Sequence, residues 1–239
     1  MRTAYRFARP LAHVAALAML IALSGCGVLS SSSSNTTFDL GPLAARPSQP
    51  PARLPKLRVA QTDGPAWMDS RGIYYRLQYT QAQRLQAYAT QRWVDAPTHL
   101  FDDRLRDAVS GRGELTWYGD TSVPALKVDL LGFEQVFDSA TSSRGVVRVR
   151  ATVFFKGLIG QKTFVAEQPA PSADGAGGVK ALSASTDAVI AAILDWTATL
   201  PLEAAAASGP APLPVANPPA RDAVPLPPAD TPKAAPPRP

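Results

Sequence analysis

Sulfur and imidazole are almost missing from this chain. Cys26 is the one cysteine in 239 residues, and His13 and His99 are the only histidines. A single thiol excludes an internal disulfide, and it would be a liability if left free in an oxidising compartment. One cysteine and two histidines also leave no ligand set for a thiolate- or imidazole-bound metal. A Ser/His/Asp triad past the N-terminal segment would have to be built on His99 alone, and no G-x-S-x-G elbow is present. His99 falls in the first turn of a predicted helix, where a solvent-facing residue is expected. Asp102, Asp103 and Asp138 are acidic, yet paired carboxylates alone do not specify acid–base chemistry. The glycine-rich stretch Gly175-Ala176-Gly177-Gly178-Val179-Lys180 lacks the G-x-x-x-x-G-K-[ST] register of a phosphate cradle. It reads as a loop opening a helix. No cofactor is implied, and the chain is expected to be a binding or structural component, not an enzyme.

Charge of one sign is lacking as well. The formal charge of +5 includes Arg2, Arg6 and Arg9, and without residues 1–25 the chain holds 21 Lys+Arg against 19 Asp+Glu, a net of +2. No basic stripe interleaved with aromatics appears, so nucleic acid is not an expected partner.

What the N-terminus does have is a cationic start followed by an apolar run from Leu11 to Leu23, broken only by His13. That run has the length of a secretory h-region and falls short of the roughly 20 residues a spanning helix needs. Leu23-Ser24-Gly25-Cys26 comes directly after it and resembles the bacterial lipobox, which makes Cys26 the expected lipidation site and gives the lone thiol a purpose. Gly27 stands where Asp would signal retention at the inner membrane. By analogy with enteric sorting, this favours the outer membrane, facing the periplasm.

Composition then divides the chain. Residues 1–25 are read as the signal peptide and 26–52 as a flexible tether, with a serine run at 30–34 and Pro42, Pro47, Pro50 and Pro51. Residues 201–239 carry 13 prolines mixed with alanine, a composition that predicts a disordered, PPII-like tail. Residues 53–200 between them are of the size of one domain.

Within that body, Leu54 to Ala60, Ile73 to Tyr79 and Arg84 to Thr90 alternate as strands do. Pro97 opens a helix whose stripe is Leu100, Phe101, Leu105, Ala108 and Val109, and Gly111 stops it. Ala125 to Val136 is a longer strand with a bulge expected at Gly132. Gly145 to Phe155 should place Val147, Val149, Ala151, Val153 and Phe155 inward and Arg148, Arg150 and Thr152 outward. Gln161 to Gln168 is joined to it by a hairpin through Gly157 and Gly160. A closing helix from about Val179 to Leu200 presents Leu182, Val189, Ile193, Trp196 and Leu200. The sum is an α+β domain, a mainly antiparallel or mixed sheet covered by two helices.

Three stretches carry a family resemblance. Pro65-Ala66-Trp67-Met68-Asp69-Ser70-Arg71-Gly72-Ile73-Tyr74-Tyr75-Arg76, then Tyr88 with Arg92-Trp93, then Asp129 to Asp138 resemble, in order and spacing, the auxiliary lipoproteins of ABC-type transport systems. That family includes the small lipoprotein of the paraquat-inducible system, which works with MCE-domain proteins. The resemblance implies an auxiliary role in an MCE/ABC machine that moves lipid between inner and outer membranes. It also makes Trp67, Tyr74, Tyr75, Arg76 and Trp93 candidates for a surface that meets the MCE partner or a second copy of the chain. Strand alternation sets Tyr74 and Tyr75 on opposite faces. A carrier that holds lipid in its own cavity, or an envelope protein acting through its proline-rich tail, are the alternatives.

Overall fold

The computed structural model describes residues 35–43 and 52–207. Cys26 and most of the proline-rich tail lie outside the described residues. The backbone is one mixed seven-stranded sheet with its two long helices on one face. Its spine is an antiparallel meander of three long strands, β5 (Ala125–Phe137), β6 (Ser143–Phe154) and β7 (Leu158–Pro169). Strands β1 (Thr36–Phe38), β4 (Leu85–Trp93) and β3 (Gly72–Leu77) complete the order β1-β4-β3-β5-β6-β7, and β2 (Arg58–Val59) runs parallel to the start of β5.

Period-two alternation explains these strands. On β6, Val147, Val149, Ala151 and Val153 are buried while Arg148 and Arg150 are exposed. Leu126, Val128, Leu130 and Phe133 meet them from β5, with the register shift between Leu130 and Gly132 where the bulge is expected. Phe155, expected to face inward, is half-buried and lies beyond the end of β6 in the turn to β7. That turn is unusual for its hand: Lys156, not a glycine, takes the left-handed conformation at φ 55°. Gly160 belongs to β7, and a side chain there would press on Trp196 and Leu200.

The main helix α3 (Gly175–Ala198) starts one turn earlier than its sequence suggests. Asp174 caps it, accepting the Gly177 amide at 2.7 Å and the Ser172 hydroxyl at 2.9 Å. The glycine-rich stretch is therefore the first helical turn and not a loop. A side chain at any of its glycines would meet a close neighbour. A Cβ on Gly178 would lie 2.0 Å from Gln135 Oε1, one on Gly175 1.6 Å from Gln91 Oε1, and one on Gly177 2.1 Å from the Ser172 carbonyl. From the sheet side, a Cβ on Gly145 would come within 2.5 Å of the Ala181 and Leu182 backbone. Ser185 Oγ donates to the Gly145 carbonyl at 2.8 Å across the same seam. Leu182, Val189, Ile190, Ile193 and Leu194 then bury α3 on the sheet. α3 is long and apolar enough to cross a membrane, but most of it is buried against the rest of the fold, as a core helix is.

The second covering helix, α2 (Pro97–Ser110), begins and ends as its proline and glycine predict, and buries Phe101, Leu105 and Val109. A short turn α1 (Gln78–Gln81) ends β3 at Leu77, two residues before the expected end of that strand.

Two expected boundaries move outward. The predicted tether contains β1, which pairs in parallel with Gln91–Trp93, and Leu40 behind it is buried in the core. Phe38 and Leu40 alternate with Thr37 and Asp39, a strand pattern too short to stand out from its Ser- and Pro-rich surroundings. At the other end α4 (Leu202–Ala207) occupies the start of the predicted tail, with Leu202 in the core. A run of alanines after a leucine favours helix before the prolines stop it.

Replacing Gly145 with Ala should lower the unfolding free energy by about 1–3 kcal/mol through overpacking against α3. Gly157→Ala, where nothing lies within 4 Å of the new methyl, should stay within about 0.5 kcal/mol. Urea denaturation of both variants checks the contrast. The hydrogen bonds to Asp174 hold its carboxyl below the ordinary 3.8. Its contribution is therefore present above that value and lost as pH falls through the folded-state value. The thermal midpoint of the native chain should drop more steeply with acidification below pH of about 4 than that of Asp174→Asn.

Candidate docking site

The five aromatic and arginine candidates divide by strand parity. Trp93 is 1% exposed and stacks edge-on against Phe133 at 5.6 Å. It is a core residue, and this corrects its place among the surface candidates: the end of β4 turns it inward under the helices. Tyr75 also faces the helix side, packed on Tyr88 at 4.7 Å and Phe137 at 5.9 Å. Tyr74 turns the other way, as alternation requires. Its ring meets Trp67 edge-on at 4.9 Å, and its hydroxyl donates to the Trp67 carbonyl at 3.1 Å and pairs with Ser70 Oγ at 2.8 Å. The short 3-10 turn Ala66–Asp69 that carries Trp67 is fixed beneath by Met68, which is fully buried. Arg76 shares Tyr74's face by the two-residue period. Its guanidinium reaches Glu134 through Nη2 at 3.0 Å and Nε at 3.2 Å, and the Ala82 carbonyl through Nη1 at 2.7 Å. Trp67, Tyr74 and Arg76 thus come together on the face of the sheet opposite α2 and α3; Tyr75 and Trp93 do not join them.

Beneath Tyr75 lies a polar cluster that the residue pattern gave no sign of. Gln135 is fully buried, accepts the Tyr88 hydroxyl at 2.9 Å, and donates to Ser143 Oγ at 2.8 Å and the Asp174 carbonyl at 3.0 Å. Burial, above all, pushes the Tyr88 hydroxyl up to about 12, so it remains a proton donor at any physiological pH. The cluster satisfies buried polar atoms and joins β4, β5, β6 and α3. A hydroxyl so held is a structural donor, not an acid or base poised near neutrality.

The helix-free face is otherwise a field of ions. Arg144 pairs with Asp138 and with Glu167 at 2.9 Å, and Lys127 with Asp63 at 2.7 Å. Arg148 and Arg150 stand exposed at the centre of this face on β6, with Leu131 and Val165 exposed on the neighbouring strands. The alternation of β6 already marks both arginines as outward-facing, though nothing in it distinguishes them from solvated surface.

The described residues also form two concavities. A groove of about 800 Å³ lies between β1 with its following loop and the first half of α3, lined by Phe38, Leu40, Val94, Val179, Arg104 and Asp187. Arg104 fastens its wall: Nη1 donates to the Gly41 carbonyl at 2.8 Å, Nη2 to Leu40 at 3.0 Å, and Nε to Asp187 at 2.8 Å. A second, of about 520 Å³, is lined by Asp95, His99, Asp102, Asp103, Arg106, Gln61 and Tyr118. Asp102 is engaged there by the Thr62 amide and by Arg106 Nε at 2.6 Å, and His99 is an exposed partner of Asp95 at 3.3 Å. Among the described residues no group of three His, Cys, Asp or Glu side chains could hold a metal ion.

Against known families, the model for the ABC-type transport auxiliary lipoprotein component matches residues 38–194. The chain belongs to this family. The match begins at β1, which agrees with the enlarged folded body. Two solved structures share the fold. One is a DUF330-family protein of Xanthomonas campestris, 20% identical, with a TM-score of 0.59 over 68% of this chain and 94% of the other. The second, an uncharacterized protein, is 15% identical with a TM-score of 0.53 over 68% and 97% of the two chains. No curated protein matches. The lipoprotein is accordingly an auxiliary component of ABC-type transport by family, with a membrane-anchored place in the cell envelope.

Removing the Arg104 fork should free the segment behind β1. Arg104→Ala is expected to cost about 1.5–3 kcal/mol, the range for hydrogen bonds to a charged group. Hydrogen exchange should show the loss concentrated at Leu40 to Leu43 and at α3 around Asp187.

Proposed function

We propose that this lipoprotein is a non-catalytic docking component, held by lipid on Cys26 in the outer membrane and facing the periplasm, that engages the MCE-domain partner of an ABC-type lipid transport system. The observation that carries the reading is the family match across the folded body, joined to a sheet face that neither α2 nor α3 covers. That face combines an aromatic pair, Trp67 and Tyr74, with the cations Arg76, Arg148 and Arg150. Aromatics and arginines are the side chains that anchor protein interfaces. A partner strand or helix of acidic character suits Arg148 and Arg150, which are exposed and form no ion pair among the described residues. Support for a non-catalytic role comes from the chemistry of the described side chains: His99 is exposed and bonded only to Asp95, and Tyr88 is locked as a donor.

The groove beside α3 favours a second reading, a carrier that takes an apolar ligand between Phe38, Leu40, Val94 and Val179. Native mass spectrometry of the purified protein separates the two, since a carrier retains lipid and a docking component does not.

Mass spectrometry of the protein extracted from membranes should give a chain beginning at an acylated Cys26, and Cys26→Ala should appear in the soluble fraction. Reversing both exposed charges, Arg148→Glu with Arg150→Glu, should leave stability within about 1 kcal/mol, as expected of surface sites. Recovery of the MCE protein on affinity purification should nevertheless fall at least tenfold. Unchanged recovery would remove this face from the interface.

A further inference from the structure

Two features have no part in the docking surface above: an exposed aromatic loop and the proline-rich C-terminal segment. Trp117 is 73% exposed and Tyr118 56%, the former being the most exposed large hydrophobic side chain among the described residues. Both sit in the segment between α2 and β5, and both ends of that segment are fixed at β2. The Thr116 amide donates to Leu57 at 3.0 Å, and the Arg58 amide to Pro124 at 3.0 Å.

The loop packs its tryptophan on one side. A Cβ on Gly119 would lie 2.0 Å from Trp117 Cζ3, so one face of the indole rests on the Gly119 backbone and the other is open. Asp120 closes the turn: its amide donates to the Trp117 carbonyl at 3.1 Å, and its carboxylate accepts the Ser122 amide at 2.9 Å and hydroxyl at 2.6 Å. An aromatic ring already packed on one face loses less freedom when something covers the other.

Topology says what is near enough to cover it. The N-terminus of α3 lies against Gln91, Gln135 and Gly145, at the end of the sheet where β5 finishes. Its C-terminal turn reaches Gly160 at the start of β7 through Trp196, and Arg112 at the end of α2 through Asp195 at 2.8 Å. The chain therefore leaves the fold, after α4, at the end of the sheet where β5 begins, which is the end that carries Trp117 and Tyr118. The 32 residues from 208 to 239 follow. At about 3.1 Å per residue in a PPII conformation they span roughly 100 Å, ample to fold back on the loop.

Their chemistry fits the platform. Pro210-Ala211-Pro212-Leu213-Pro214 and Pro225-Leu226-Pro227-Pro228 are PPII-forming runs, the second with P-x-x-P spacing. The charges of the stretch are few and mixed: Arg221 with Asp222, Asp230, Lys233 and Arg238. Proline rings pack flat on indole and phenol faces, and a composition that favours PPII lowers the entropy given up on docking. We propose that the proline-rich segment 208–239 docks in cis on the Trp117–Tyr118 loop. The loop is then covered in the resting protein, and the segment is held back along the body. Tethering supplies an effective concentration in the millimolar range, so even a weak intrinsic contact is occupied.

The test is the tryptophan indole N–H spectrum of the ¹⁵N-labelled chain from Gly27 to Pro239, with Trp117 assigned from Trp117→Phe. The Trp117 resonance should differ from that of the chain ending at Ala207 and be independent of dilution. The resonances of Trp67, Trp93 and Trp196 should coincide in the two chains, which shows that both are folded. A synthetic 208–239 peptide added to the shorter chain should move the Trp117 resonance towards its full-chain position. Gly119→Ala, which displaces the indole, should abolish that movement. A Trp117 resonance identical in the two chains, or one that reverts on dilution because the segment belongs to another molecule or a bound protein, would overturn the proposal.

Discussion

The fold depends on how closely α3 can approach the sheet. Gly145 on β6 and Gly175 and Gly178 in the first helical turn remove the Cβ atoms that would otherwise hold the two layers apart. Hydrogen bonds cross the seam so formed. Ser185 donates to the Gly145 carbonyl, and Gln135 reaches from β5 to the Asp174 carbonyl at the start of the helix. Because Gln135 also accepts from Tyr88 and donates to Ser143, this contact fixes four elements at once. Leaving any of those buried polar atoms unpaired would cost more than the bond itself contributes. The apolar remainder of α3 can then settle on Val147, Val149 and Val153 without choosing its own register.

A sheet covered so tightly on one side leaves its other side to do something else. The bare face holds Trp67 and Tyr74, the Arg76–Glu134 pair and the two exposed arginines. Charged side chains across the open face of an antiparallel sheet keep it in solution, and they also supply the complementarity on which partner choice depends. The family assignment and the geometry are thus mutually consistent: an auxiliary component needs a rigid frame and a surface, and the chemistry of the chain is spent on both.

Much of this was legible in the residues. The helix at Pro97, the bulge at Gly132 and the inward valines of β6 follow from proline geometry, glycine placement and alternation, each a local rule. The opposition of Tyr74 and Tyr75 was legible for the same reason. What could not be read depends on contacts between distant segments. Gly175 to Gly178 look like a loop until Gln135, Ser172 and Gln91 are placed beside them. Trp93 looks like Trp67 until the end of β4 is seen to turn beneath the helices. Phe38 and Leu40 are indistinguishable from tether until Gln91–Trp93 and Arg104 receive them. Sequence alone ranked the aromatics together, whereas tertiary packing divided them by the face each occupies.

The inclusion of β1 in the body changes the physics of anchoring. With lipid on Cys26, as proposed above, ten peptide links separate the anchor from Thr36, a reach of at most about 36 Å. A body on so short a leash, attached at one edge of its sheet, samples a thin layer above the bilayer instead of a wide volume. Its search for a neighbour in the same envelope is close to two-dimensional. Every encounter then starts at a local concentration far above that of the freely diffusing protein, so a modest interface is sufficient for stable engagement.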